Sequence, residues 1–72
     1  MRPEAVNLLD VVALLVDKPA EGLAVGHVGT VVEVLAPDMF EVEFLDPTGH
    51  TFALTELKRN EILRLKHEPV AA

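Results

Sequence analysis

The chain has 72 residues, no cysteine and only three aromatic side chains, all phenylalanine, with a net charge of −6 from twelve acids against six bases. That length makes one domain, 1–72, and leaves little room to frame a deep catalytic cleft. The absent cysteines exclude disulfides, thiolate chemistry and the common structural zinc sites. Residues 1–56 carry −8 and residues 57–72 carry +2, so an acidic body ends in a mildly basic segment. An acidic body repels phosphate backbones and favours basic partners.

In chain order, residues 1–6 and the tail from His67 to Ala72 have little to bury and read as frayed ends, leaving an ordered core over about 8–66. The opening of the sequence carries no signal-peptide pattern, and the longest apolar run, Val11 to Val16, is far short of a membrane span. A cytoplasmic protein with no membrane association is the expectation. The run "LLDVVALLV" admits two readings. Pro3 and Glu4 open a helix through Val16, with Val6, Leu9, Val12, Ala13 and Val16 on one stripe. Alternatively the six-residue apolar block between Asp10 and Asp17-Lys18-Pro19 is a strand buried on both faces. Its length and flanks favour the strand.

Residues 17–27, "DKPAEGLAVGH", read as a loop from which Leu23 and Val25 fold back over an open barrel end. Val28 to Leu35 is a second strand, with Val28, Val32 and Val34 inward and Glu33 outward. Ala36-Pro37-Asp38 turns the chain. Met39 to Leu45 alternates Phe40, Val42 and Phe44 with Glu41 and Glu43, the pattern of a half-exposed antiparallel strand. Asp46-Pro47-Thr48-Gly49 is a β-turn. His50 to Thr55 returns with Phe52 and Leu54 inward. Glu56 to Asn60 makes one helical or 3₁₀ turn, and Glu61 to Leu65 closes with Leu63 and Leu65 inward. The expected fold is mainly β, a small five-stranded SH3-like partly open barrel; Val12 and Leu14 complete its core. Closing a sheet on itself limits the edges of so small a chain.

The stretch "GLAVGHVGTVVEVL" resembles the KOW-type glycine and valine pattern of SH3-like barrels. The longer series "LLDVVALLVDKPAEGLAVGHVGTVVEVL…FEVEFLDPTGHTFALTELKRNEILRL" is similar to a family of short bacterial proteins of undefined function. That family carries a DVVAL-type first strand and a P-x-x-G-L-x-x-G-x-x-G-T-V-V-E loop and strand. A YEVEF-like third strand, an aspartate-rich turn, a T-x-A-L strand and a closing L-K-x-x-x-I/L-x-x-L follow. The resemblance covers about residues 8–66, with Phe40 where the family often has tyrosine. It implies a compact SH3-like β domain. Some members sit beside toxin-like proteins, which implies an antitoxin or immunity role. The family brings no catalytic residues to carry over.

Four groups of side chains bear on function. Glu33, Glu41 and Glu43 share the outer face of a hairpin between strands two and three. An exposed face gives paired carboxylates neither burial nor an oxyanion donor, so a docking face for a basic protein is the better use of them, and solvation the plainer one. Val31, Leu35, Met39 and Leu45 alternate with the inward set and are expected on the same outer face, where contiguous apolar residues mark interfaces or self-association. His27, His50 and His67 lack the spacing of a metal site, which needs three or four convergent ligands, so no metal or cofactor is expected. Lys58, Arg59, Arg64 and Lys66 are the residues a KOW-like nucleic-acid binder would use, but four bases without aromatics make a poor phosphate track. The expectation is a non-enzymatic protein-interaction module with a basic partner, or a homo-oligomer; nucleic-acid binding through the C-terminal bases is the alternative.

Overall fold

The computed structural model describes residues 5–66, so His67, the tail after it and the first four residues lie outside the description. Five strands form one antiparallel sheet: β1 (Val11–Leu14), β2 (Val28–Ala36), β3 (Met39–Leu45), β4 (Thr51–Lys58) and β5 (Ile62–Arg64). Their order across the sheet is β4-β3-β2-β1-β5. The chain meanders from β1 to β4 and then returns to lay β5 against β1, so that among the described residues β4 and β5 are the edges of the sheet. The fold is mainly β, as expected, and the sheet is not closed. The only helical turns among the described residues are two 3₁₀ turns, Pro19–Glu21 and Arg59–Glu61.

The first apolar run is a strand, but only four residues of it. Leu8 and Leu9 form a turn before it, closed by the bond from the Asp10 N–H to the Asn7 carbonyl, 3.0 Å. Leu9 sits there at φ 71, a conformation that costs a leucine about 1–2 kcal/mol. Val6, expected in a frayed end, is instead buried in the core. In the following loop Gly22 takes φ 73 to end the first 3₁₀ turn, and Leu23 folds back into the core. Val25 stays exposed.

All five strands and the loop contribute to a single core cluster: Val6, Val12, Leu14, Leu23, Val31, Phe40, Val42, Phe44, Leu57 and Ile62. The face of β3 is as its alternation states. Three other strands are out of phase with expectation. In β2, Val31 pairs with Val42 and Glu33 with Glu41, so Val32 is an extra residue in a bulge. A bulge shifts side-chain parity. Upstream of it Gly29 and Val31 face inward, and Val28 is exposed. Downstream, Val34 pairs with Phe40 but lies at the rim and is 45% exposed.

β2 has another irregularity at Leu35, between the Val34–Phe40 and Ala36–Met39 pairs, and β4 has one at Phe52, between the Phe44–Ala53 and Leu45–Thr51 pairs. Ala53, Thr55 and Leu57 pair with the inward Phe44, Val42 and Phe40 and take the core side, while Phe52 and Leu54 are exposed. The inversion has a packing reason. Phe44 is fully buried, and the strands on either side of it offer only Gly29 and Ala53. A Cβ on Gly29 would lie 2.7 Å from Val42 Cγ1 and 2.8 Å from the Glu43 carbonyl oxygen. Small residues opposite a large one keep the interior at close-packed density. In β5 it is Ile62 that is buried, pairing with Leu14; Leu63 is exposed and Leu65 half-buried.

The chain segments are fastened by local polar contacts. Arg64 Nε donates to Asp10 Oδ2 at 3.0 Å, tying β5 to the entry of β1. The same carboxylate oxygen accepts the Asn7 N–H at 2.7 Å. Glu61 Oε1 accepts the Lys58 N–H at 2.8 Å, which caps the second 3₁₀ turn, and Lys18 Nζ lies 3.1 Å from its other oxygen.

Candidate functional site

The face of the sheet turned away from the core holds most of the chain's unusual chemistry. The register aligns Glu33 of β2 with Glu41 of β3, and Glu41 with Glu56 of β4. Three carboxylates thus lie in one row across three strands. Directly opposite residues in an antiparallel pair have Cβ atoms about 4.5–5.5 Å apart, and like charges in such a pair destabilise it. No cation intervenes in this row. Glu56 was read from sequence as part of a helical turn; because β4 extends to Lys58, it becomes the third member. Its two-residue spacing from Leu54 puts the two on one face, but only the structure shows that this face is the outer one.

The next row runs Thr30, Glu43, Leu54. Glu43 is set apart from the other glutamates, since its Oε2 accepts the hydroxyl of Thr51. Beyond that row the face turns apolar. Val28 pairs with Ala13, which pairs with Leu63 of β5. Val28, Leu45, Phe52, Leu54 and Leu63 are all large, apolar and exposed. The Phe52 ring meets the His27 ring edge-on with centroids 6.2 Å apart. The outer face is therefore divided: carboxylates toward the β2–β3 turn, aliphatic and aromatic side chains toward the other end.

The expected apolar contributors separate. Leu35 and Leu45 are exposed, Met39 is half-buried between Ala36 and Lys58, and Val31 is fully buried. The bulge at Val32 is why Val31 leaves the outer face.

The histidines serve local turns. His27 Nδ1 accepts the Ala24 N–H at 2.9 Å, which places its proton on Nε2. His50 Nδ1 lies 2.8 Å from the Thr48 hydroxyl. Among the described residues no three histidine, aspartate or glutamate side chains converge on a common point. Asp46 Oδ1 accepts the Thr48 hydroxyl at 2.7 Å, the Thr48 N–H at 2.9 Å and the His50 N–H at 3.0 Å. These bonds, the hydroxyl foremost, hold its carboxyl below the usual aspartate range. Glu61 is likewise held low, first by the Lys58 N–H, with burial opposing and Lys18 assisting.

The C-terminal bases are partly committed to the fold. Arg64 bonds Asp10, and Arg59 Nη1 donates to the Ile62 carbonyl at 3.1 Å. Lys58 and Lys66 are exposed. Lys58, Arg59 and Asn60 also line, with Leu15, Ile62 and Leu63, an open cleft of about 550 Å³, a volume within the range of ligand pockets. Asp38 lies in the same cleft and lowers its net positive charge.

A family model described as "Domain of unknown function (DUF4926)" matches residues 8–64, and the chain belongs to that family. No curated protein and no solved structure matches the chain.

Proposed function

We propose that the domain is a non-enzymatic protein-interaction module that uses the outer face of its open, SH3-like sheet to cover a basic and apolar site on another protein. The observation that carries this is the Glu33–Glu41–Glu56 row, bordered on the same face by exposed Leu54, with exposed Phe52 and Val28 one row further along. Each half of that face costs the isolated fold something. Aligned carboxylates repel one another, and clustered apolar side chains remain in water. A partner presenting lysine or arginine beside aliphatic residues relieves both at once, and the matching charge also steers its approach. Covering a basic site in a cytoplasmic partner is the form that an antitoxin or immunity role would take.

Co-expression with the product of the adjacent gene, followed by co-purification at low and high salt, tests the reading. The triple variant Glu33→Lys, Glu41→Lys, Glu56→Lys is expected to keep the β-sheet circular dichroism spectrum and lose the partner. A complex that survives all three charge reversals would sink the proposal.

A further inference from the structure

The two edges of the sheet are unequal. β5 spans only Ile62–Arg64, and Asp10 holds its last side chain. β4 runs for eight residues, Thr51–Lys58, with neither proline nor glycine. Among the described residues, no strand pairs with its far side. Such an edge presents a row of backbone N–H and C=O groups to any extended chain, and proteins usually blunt it by brevity, proline, bulges or charge. Here the irregularity at Phe52 interrupts only the start of the strand, leaving Ala53–Lys58 regular.

The rows of the outer face run up to this edge. The carboxylate row ends at Glu56, and the Thr30–Glu43 row ends at Leu54. A sixth strand laid on β4 would set one side chain opposite Glu56 and another, two residues along on the same face, opposite Leu54. A cation at the first position terminates the row of carboxylates. An apolar residue at the second covers Leu54 beside the exposed Phe52 ring. Resting on the interaction reading above, we propose that the free edge of β4 is a strand-addition site. Its occupant is an extended segment of the partner carrying an apolar residue and a lysine or arginine two positions apart.

A second copy of this chain fits the edge less well. Antiparallel pairing of β4 with itself centred on Leu54 or Thr55 sets Glu56 opposite Phe52 or Leu54. Centring on Glu56 sets carboxylate against carboxylate. Only a register centred on Leu57 brings Glu56 to Lys58, and it overlaps from Glu56 to Lys58 alone.

The probe is a fluorescein-labelled peptide of alternating valine and lysine, seven residues long (~7, enough to span a typical strand). Its controls are the same peptide with glutamate for lysine, and two versions N-methylated on alternate residues, one for each edge of the peptide. Fluorescence anisotropy at low salt gives the affinities, and hydrogen exchange reports the β4 amides. The lysine peptide is expected to bind and the glutamate peptide not. One methylated version should weaken binding by about tenfold or more, since each blocked N–H removes a hydrogen bond. The exchange of β4 amides should slow. Equal binding by both methylated versions, with no protection of β4, overturns strand addition while leaving the outer-face reading intact. Absence of binding by the lysine peptide also overturns strand addition; the outer-face reading then stands or falls on the co-purification of the triple variant.

Discussion

Replacing Gly29 with alanine should destabilise the domain by about 2 kcal/mol, although on backbone grounds alone it should help. In a strand interior alanine gains roughly 0.5–1 kcal/mol over glycine. Against that, the added methyl group would meet Val42 Cγ1 at 2.7 Å, the Glu43 carbonyl oxygen at 2.8 Å and Phe44 Cδ2 at 2.9 Å. Both side chains are fully buried, and the oxygen belongs to the backbone of the neighbouring strand, so none of the three can rotate away. Overpacking of a core costs about 1–3 kcal/mol, and a backbone contact puts this case at the upper end. The net of about 2 kcal/mol lowers the melting temperature by roughly 8–16 °C in a domain of this size. Urea denaturation and thermal melts followed by circular dichroism measure it. Gly29→Ala and Val42→Ala together should cost less than the sum of the two single changes, with a coupling of about 0.5 kcal/mol or more. A Gly29→Ala protein that melts at or above the parent temperature refutes the close approach, and with it the packing account of why β2 and β4 turn their small residues inward.

Leu57→Ala should cost roughly 2–5 kcal/mol as a core truncation, whereas Leu54→Ala should change stability by about 0.5 kcal/mol or less; denaturant midpoints in the reverse order would show that β4 presents its other face. Glu41→Lys converts two like-charged cross-strand pairs into opposite ones and should stabilise the fold by about 0.5–2 kcal/mol, a gain that shrinks in high salt; urea midpoints at two ionic strengths measure it. Acidification should weaken the domain through Asp46 and Glu61, whose carboxyls are held low in the folded state. Their contribution is present above the ordinary carboxylate range and is lost as the pH falls through the lower folded values. Glu61→Gln and Asp46→Asn should each flatten the decline of the melting temperature below that range, and an unchanged slope in the double variant would exclude them as its source.

Much of the sheet is legible in the sequence because hydrophobic alternation and turn residues state it. Phe40-Glu41-Val42-Glu43-Phe44 declares both a strand and its face, and Asp46-Pro47-Thr48-Gly49 declares the turn that the Gly49 N–H closes onto the Asp46 carbonyl at 2.9 Å. The phases of β2 and β4 are not legible, for a common reason. Each strand carries apolar residues at both parities, so hydrophobicity does not choose between its faces. The choice is made by volume: Phe44 takes the space that Gly29 and Ala53 leave. Gly29 has no side chain for a pattern to register, and the irregularities at Val32 and Phe52 leave no mark in composition. The acidic half of the candidate site was visible as Glu33 and Glu41. Glu56 completes it only once β4 is known to reach Lys58, and Val31 drops out once the bulge is counted.

The pairing of β1 with β5 has a mechanical meaning. The two strands run antiparallel, Val12 beside Arg64 and Leu14 beside Ile62, and the Leu65 N–H reaches the Val11 carbonyl at 2.9 Å. The end of β5 therefore lies beside the start of β1. Tension applied between the start of β1 and the end of β5 would meet these bonds singly, from the Val11–Leu65 end inward, and open the pair as a zipper opens.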